Sequence, residues 1–205
     1  MPNCNHNPGS LTLIRFEGIP ALLHVCDTND NEEVLEQAAS ALANLGNHTE
    51  HCEAMCNSRA IAILVRLCAE RNHDGIHEAV TFLLRKLVEV EEETLTWIAE
   101  AEGCAALVRL CQVSSIAVVL AAAARLLEDL ADVEDLDKAD ANRDAIDAAG
   151  GIEPLICLCR VMHMVNNDDG FVVDENEQEA LEAAASTLWI LARGSASRSQ
   201  ETLKP

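Results

Sequence analysis

Apolar residues recur every three or four positions along most of this chain, in runs that end on a cysteine. The runs are GIPALLHVC from Gly18, AIAILVRLC from Ala60, GCAALVRLC from Gly103 and GIEPLICLC from Gly151. Their cysteines, Cys26, Cys68, Cys111 and Cys159, lie 42, 43 and 48 residues apart. A second motif follows each run: an Ala-rich stretch closing on two leucines three apart, Leu42 and Leu45, Leu84 and Leu87, Leu127 and Leu130, Leu188 and Leu191. In the first three units the step from cysteine to first leucine is 16 residues, and in the fourth it is 29. An apolar position every three to four residues makes one face of a helix, whereas strands need alternation. The Ala, Leu, Glu and Gln content suits helices. A unit of helix, turn and helix repeating at this interval falls in or just past the ~40–47-residue period of helical solenoids.

These residues resemble the armadillo repeat family. The likeness rests on a first helix ending at glycine (NRDAIDAAGG, Asn142 to Gly151), a second opening with Gly18, Ile19 and Pro20, and a third of the form QAASALANLG (Gln37 to Gly46). Proline suits the first turn of a helix, where its missing N–H has no partner to lose, and glycine permits the sharp turn between helices. In the second repeat Asn57, Ser58, Arg59 and Ala60 stand where that glycine and its neighbours belong. The HEAT repeat shares the length and packing and is the alternative. The resemblance implies an all-α fold, a right-handed α-solenoid (superhelix) of four armadillo-type three-helix repeats. Its divisions are an N-terminal arm at 1–9, repeats at 10–46, 47–88, 89–131 and 132–193, and a flexible tail at 194–205.

Composition fits a soluble solenoid inside the cell, and a cytoplasmic location is expected, with nucleus or cytoskeletal structures as alternatives. The longest apolar stretch, Ile116 to Ala124, is far short of the ~20 residues of a membrane span, and no export signal is evident. Aromatic residues are 2% of the chain, so the expected core is Ala, Leu, Ile and Val between closely packed helices.

Nine cysteines raise metal and redox chemistry. Four hold the repeat position just described, where a small polarisable side chain packs into a core, and an odd total without an export signal argues for free thiols. His48, Cys52 and Cys56 recur every four residues, so they share a helix face and form the one metal- or redox-responsive alternative, with His51 beside them. Structural zinc sites usually draw ligand pairs from two separate elements, so no metal and no cofactor is expected. His73 and His77 form a weaker pair, with Gly75 between them.

No catalytic pattern is present. There is no phosphate-cradling loop, no Gly-x-Ser-x-Gly elbow and no His-Glu-x-x-His, because His77-Glu78 runs on into Ala79, Val80 and Thr81. The expected role is therefore a non-enzymatic protein–protein scaffold or adaptor, with a chaperone co-factor or regulator of armadillo type as the alternative. Resemblance to importin-α and β-catenin puts the partner-binding groove on the third helices. Carried over residue by residue, it consists of Glu36, Ser40, Asn44, Glu78, Phe82, Lys86, Arg125, Asp129, Glu182, Ser186 and Ile190, with Ala121 at the corresponding place in the third repeat. Importin-type grooves repeat a tryptophan and an asparagine. Here only Asn44 keeps the asparagine and no groove position keeps the tryptophan, so nuclear-localisation peptides are not the expected ligand.

A formal net charge of -21 disfavours nucleic acid and anionic membranes and draws partners that are basic overall. Much of it falls in Glu89 to Glu93 and Glu128 to Asp140, along an edge, while Arg85, Lys86 and Arg125 suggest a positive centre of the groove. The fourth repeat carries a 13-residue insertion within Val161 to Glu177, expected to be a loop or a partner-binding finger. Trp189, Ile190 and Leu191 close the last helix without an evident polar cap, which suggests further repeats or pairing in a homodimer.

Overall fold

A computed structural model describes residues 17–165 and 174–201, with side chains described for 17–160 and 174–194. Among the described residues every regular element is helical. The order is α1 (Ile19–Thr28), α2 (Glu32–Leu45), α3 (Thr49–Met55), α4 (Ser58–Glu70), α5 (Asp74–Val90), α6 (Glu93–Glu100), α7 (Gly103–Val113), α8 (Ala117–Ala131), α9 (Leu136–Ala148), α10 (Ile152–Val165) and α11 (Glu175–Glu201). None of them is long and apolar enough to cross a membrane.

Local chemistry sets the boundaries. Pro20 lies in the first turn of α1, the one place where a helix tolerates it freely. The Asn31 side chain accepts from the backbone N–H of Glu33 and Val34 to open α2, and Asp135 does the same for Asp137 and Lys138 at α9. The turn into α7 uses Glu102 at φ 62, and the turn into α10 uses Gly150 at φ 74. The next residues, Gly103 and Gly151, lie against Ile98 and Ile146, where an added Cβ would collide. The second unit solves the same corner differently. Asn57 accepts from the Ala60 N–H at 3.0 Å and starts α4 two residues earlier in the repeat than α7 starts, so no glycine is needed there.

The helices stack in two ladders. Helices α1, α4, α7 and α10 pack in sequence, and so do α2, α5, α8 and α11. Helices α3, α6 and α9 close the corners between rungs. One apolar core runs through the stack from Ile19 to Leu191. Leu42, Leu84, Leu87, Leu127, Leu130 and Leu191 are buried, as are Cys26, Cys68 and Cys111, while Cys159, Leu45 and Leu188 are half-buried. Helix α8 is buried on nearly every side, because its alanines, Ala121 to Ala124, let α11 approach closely through Ala180, Ala183 and Ala184.

Two expectations are corrected. The insertion is not wholly a loop: 161–165 continue α10, Glu175 to Glu177 open α11, and 166–173 lie outside the described residues. From residue 194, where a flexible tail is expected, the backbone continues in helix as the end of α11, to Glu201. The arm at 1–9 lies outside the described residues.

Candidate functional site

Helices α2, α5 and α8 line two adjoining cavities that share Glu78, Phe82 and Val118. The larger, of about 340 Å³, runs from Glu36, Ser40 and Asn44 on α2 to Gly75 and Ala79 on α5. The smaller, of about 140 Å³, continues past Arg85, Lys86 and Glu89 to Ala122. Together they form one open trough across three rungs. Phe82 stands exposed at its middle, and Lys86 Nζ lies 6.0 Å from the centre of its ring, the outer limit of a cation–π contact.

The structure brings Glu36, Ser40, Asn44, Glu78, Phe82 and Lys86 together as expected residues of one trough. Two of the expected positions turn inward. Ile190 is buried, only 5% exposed, and Ala121 only 1%, so neither presents a side chain to a partner. Helix register explains Ile190: Ala180, Ala183, Ala184, Thr187, Ile190 and Leu191 form the inward stripe of α11, and Trp189 falls outside it, with Arg193 over its ring at 4.6 Å. Glu182 is exposed and accepts from Gln178 Nε2, Ser186 is half-buried, and neither of them borders the two cavities, nor do Arg125 and Asp129.

The positive centre is neutralised internally. Arg85 pairs with Glu179 of α11 at 2.9 Å, Lys86 with Glu89 at 2.7 Å and Arg125 with Glu128 at 2.6 Å. The Arg125 guanidinium is held still more firmly protonated, first by its hydrogen bond to Glu128. Burial pushes the Asp129 carboxyl above its usual range, while Arg125 pulls it back. Among the described residues, Glu36 and Glu78 have no cation within ion-pair distance. The uncompensated charge of the trough is therefore negative, contrary to the expected positive centre. Gly75 faces the Glu36 carboxylate so closely that a Cβ there would collide with it.

The Armadillo/beta-catenin-like repeat family model matches residues 6–46. A comparison with curated proteins finds no match. Among solved structures, an engineered protein from the Northeast Structural Genomics Consortium shares 20% identity at a TM-score of 0.63, over 91% of this chain and 69% of the other. The designed armadillo repeat protein YIII(Dq)4CqI shares 16% identity at a TM-score of 0.59, over 91% of this chain and 87% of that one. The chain folds as an armadillo-type solenoid.

Within this solenoid the suspected metal cluster is spent on structure. His48 precedes α3, His51 Nδ1 lies 3.3 Å from the Leu45 carbonyl, and the Cys52 thiol donates to the Gly46 carbonyl at 3.1 Å. Cys56 Sγ faces the Leu87 carbonyl, 3.9 Å away, on a different helix. Burial raises the Cys52 and Cys56 thiols above their ordinary value, which disfavours the thiolate that metal binding and redox exchange need. No group of three His, Cys, Asp or Glu among the described residues is placed to hold a metal ion. His73 and His77 are likewise apart in role: His77 is buried with Nε2 2.9 Å from the Arg71 carbonyl, and His73 precedes α5.

Sequence reasoning passed over Val118, Ala122 and Gly75 as trough residues. Val118 lies seven residues, two helical turns, before Arg125 and so on the same face, a signal that the wholly apolar run from Ile116 to Ala124 masks.

Proposed function

We propose that this armadillo-type solenoid is a non-enzymatic scaffold that binds an extended segment of a partner protein along the trough of α2, α5 and α8. The observation that carries the reading is the trough itself, continuous over three rungs and lined at matching repeat positions by polar side chains around exposed Phe82. Stacked helical repeats offer such surfaces to extended chains. The unpaired Glu36 and Glu78 favour a lysine or arginine of the partner between them, its aliphatic stem against Phe82. The net charge of -21 adds long-range attraction for basic segments.

The test is selection of a displayed peptide library on the intact chain, followed by titration of the recovered peptides against Glu36→Lys/Glu78→Lys and Phe82→Ala variants. Recovered peptides sharing a basic residue, and weakened by about 2 kcal/mol or more in the double variant, support the reading, since opposed like charges and a lost buried anchor each cost that much at an interface. Peptides that bind both variants as well as the parent chain refute it.

A further inference from the structure

A second groove shares no residue with the α2/α5/α8 trough. It has a volume of about 660 Å³ and lies between α6 and α9, two of the corner helices. These helices make little direct contact, and the hydrogen bond from Lys138 Nζ to Thr96 Oγ1, 3.2 Å, spans the gap between them. The floor is apolar, built from Leu95, Ala99, Val133 and Ala141. The rim is acidic, with Glu93 and Glu100 on the α6 side and Glu134 on the other.

Three facts bear on what fits there. An apolar floor open to water is covered at a gain in free energy by any segment that brings apolar surface. Among the described residues none of Glu93, Glu100 and Glu134 has an ion-pair partner, although Lys138 lines the same groove. Carboxylates around a low-dielectric floor concentrate negative potential, which repels anions and attracts cations. A bare metal ion would satisfy the rim and leave the floor wet. A chain that carries both basic and apolar side chains satisfies both, because lysine and arginine stems lie along apolar surface while their heads reach the rim.

We propose that the α6/α9 groove is a second docking site, which takes a short basic amphipathic segment of a partner protein. It works independently of the trough, so one chain can hold two segments at once.

The probe is the acetylated and amidated peptide LKKLLKKL, titrated into the uniformly 15N-labelled full chain, with GKKGGKKG as a control of equal charge. The expected result is amide shifts gathered at residues 92–100 and 133–142. Binding should fall about tenfold or more in a Glu100→Lys/Glu134→Lys variant, as reversal of interfacial charge does, and stay unchanged in Glu78→Lys. Equal binding of the glycine peptide would overturn the proposal, because charge alone would then account for it. Shifts confined to 36–44 and 75–86, shifts spread over all acidic surfaces, or no shifts would overturn it as well. The trough reading survives each of those results, since its own variants test it separately.

Discussion

Arg109 on α7 donates from Nη1 to the carbonyl oxygens of Cys68 and Arg71, 3.1 and 3.2 Å away, and so caps the end of α4 from the next rung of the ladder. Arg66 on α4 does the same one rung earlier, donating to the Asp27 carbonyl at 3.0 Å and its carboxylate at 2.8 Å. The Arg66 guanidinium holds the Asp27 carboxyl below its usual range. A cation at a helix C-terminus meets both orphan carbonyls and the negative end of the helix dipole. The corresponding position on α10 is Cys157, which is exposed. Cys157→Arg should therefore cap α7 at Cys111 and Ser114 and stabilise the chain by about 0.5–1 kcal/mol in urea denaturation. An unchanged or lower midpoint would contradict the capping account.

A second capping system joins each corner helix to the preceding trough helix. His51, Thr94 and Asn142 occupy matching positions, all buried, and meet the carbonyls of Leu45, Leu87 and Leu130 respectively. Asn142→Leu would leave the Leu130 carbonyl buried without its 2.8 Å bond, at a cost of about 1–3 kcal/mol. Thr94→Val should cost less, because its bond is longer at 3.4 Å. Chemical denaturation of the two variants side by side checks the order.

Glu102 holds a left-handed conformation that side chains resist, and Gly150 holds the same conformation at the next corresponding corner. Glu102→Gly should stabilise the fold by about 1 kcal/mol, the strain that a Cβ adds in this region. Gly103→Ala, one residue on, should destabilise it by about 1–3 kcal/mol, because its Cβ meets the backbone and side chain of Ile98. Thermal midpoints moving in the same direction for both variants would refute this reading of the corner.

Buried thiols make the fold sensitive to alkali. Burial pushes Cys26 and Cys104 up to about 11 and Cys68 and Cys111 up to about 12, from an ordinary value of 9.0. The folded chain keeps these protons when the unfolded chain gives them up, so stability is complete below pH 9 and falls as pH rises from there towards 12. Urea midpoints measured from pH 8 to 10.5 should decline, and Cys68→Ala should flatten the decline. A slope unaffected by that substitution would mean the Cys68 thiol contributes nothing to it.

The ladders are legible in sequence because the constraint is local and repeated: each inward leucine and cysteine recurs at helical spacing. The corner glycines are legible for the same reason. What the sequence does not show is which charges find partners. Arg85 on α5 meets Glu179 on α11, 94 residues away, a pairing that only the stacking of the ladder brings about. The burial of Ile190 rather than Trp189 depends on how α11 rotates on the alanine face of α8, a matter of packing that a residue-by-residue carry-over from other repeats does not capture. The α6/α9 groove is half legible: its acidic rim stands out in the charge pattern, while its apolar floor gathers residues from two helices some 40 positions apart.

Hydrogen exchange by mass spectrometry, on the full chain with and without a peptide selected for binding, tests the central claim most directly. The account predicts added protection in residues 36–44, 75–86 and 118–129, lost together with binding in the Glu36→Lys/Glu78→Lys variant. Protection confined to the α4, α7 or α10 faces, or unchanged in that variant, would contradict it.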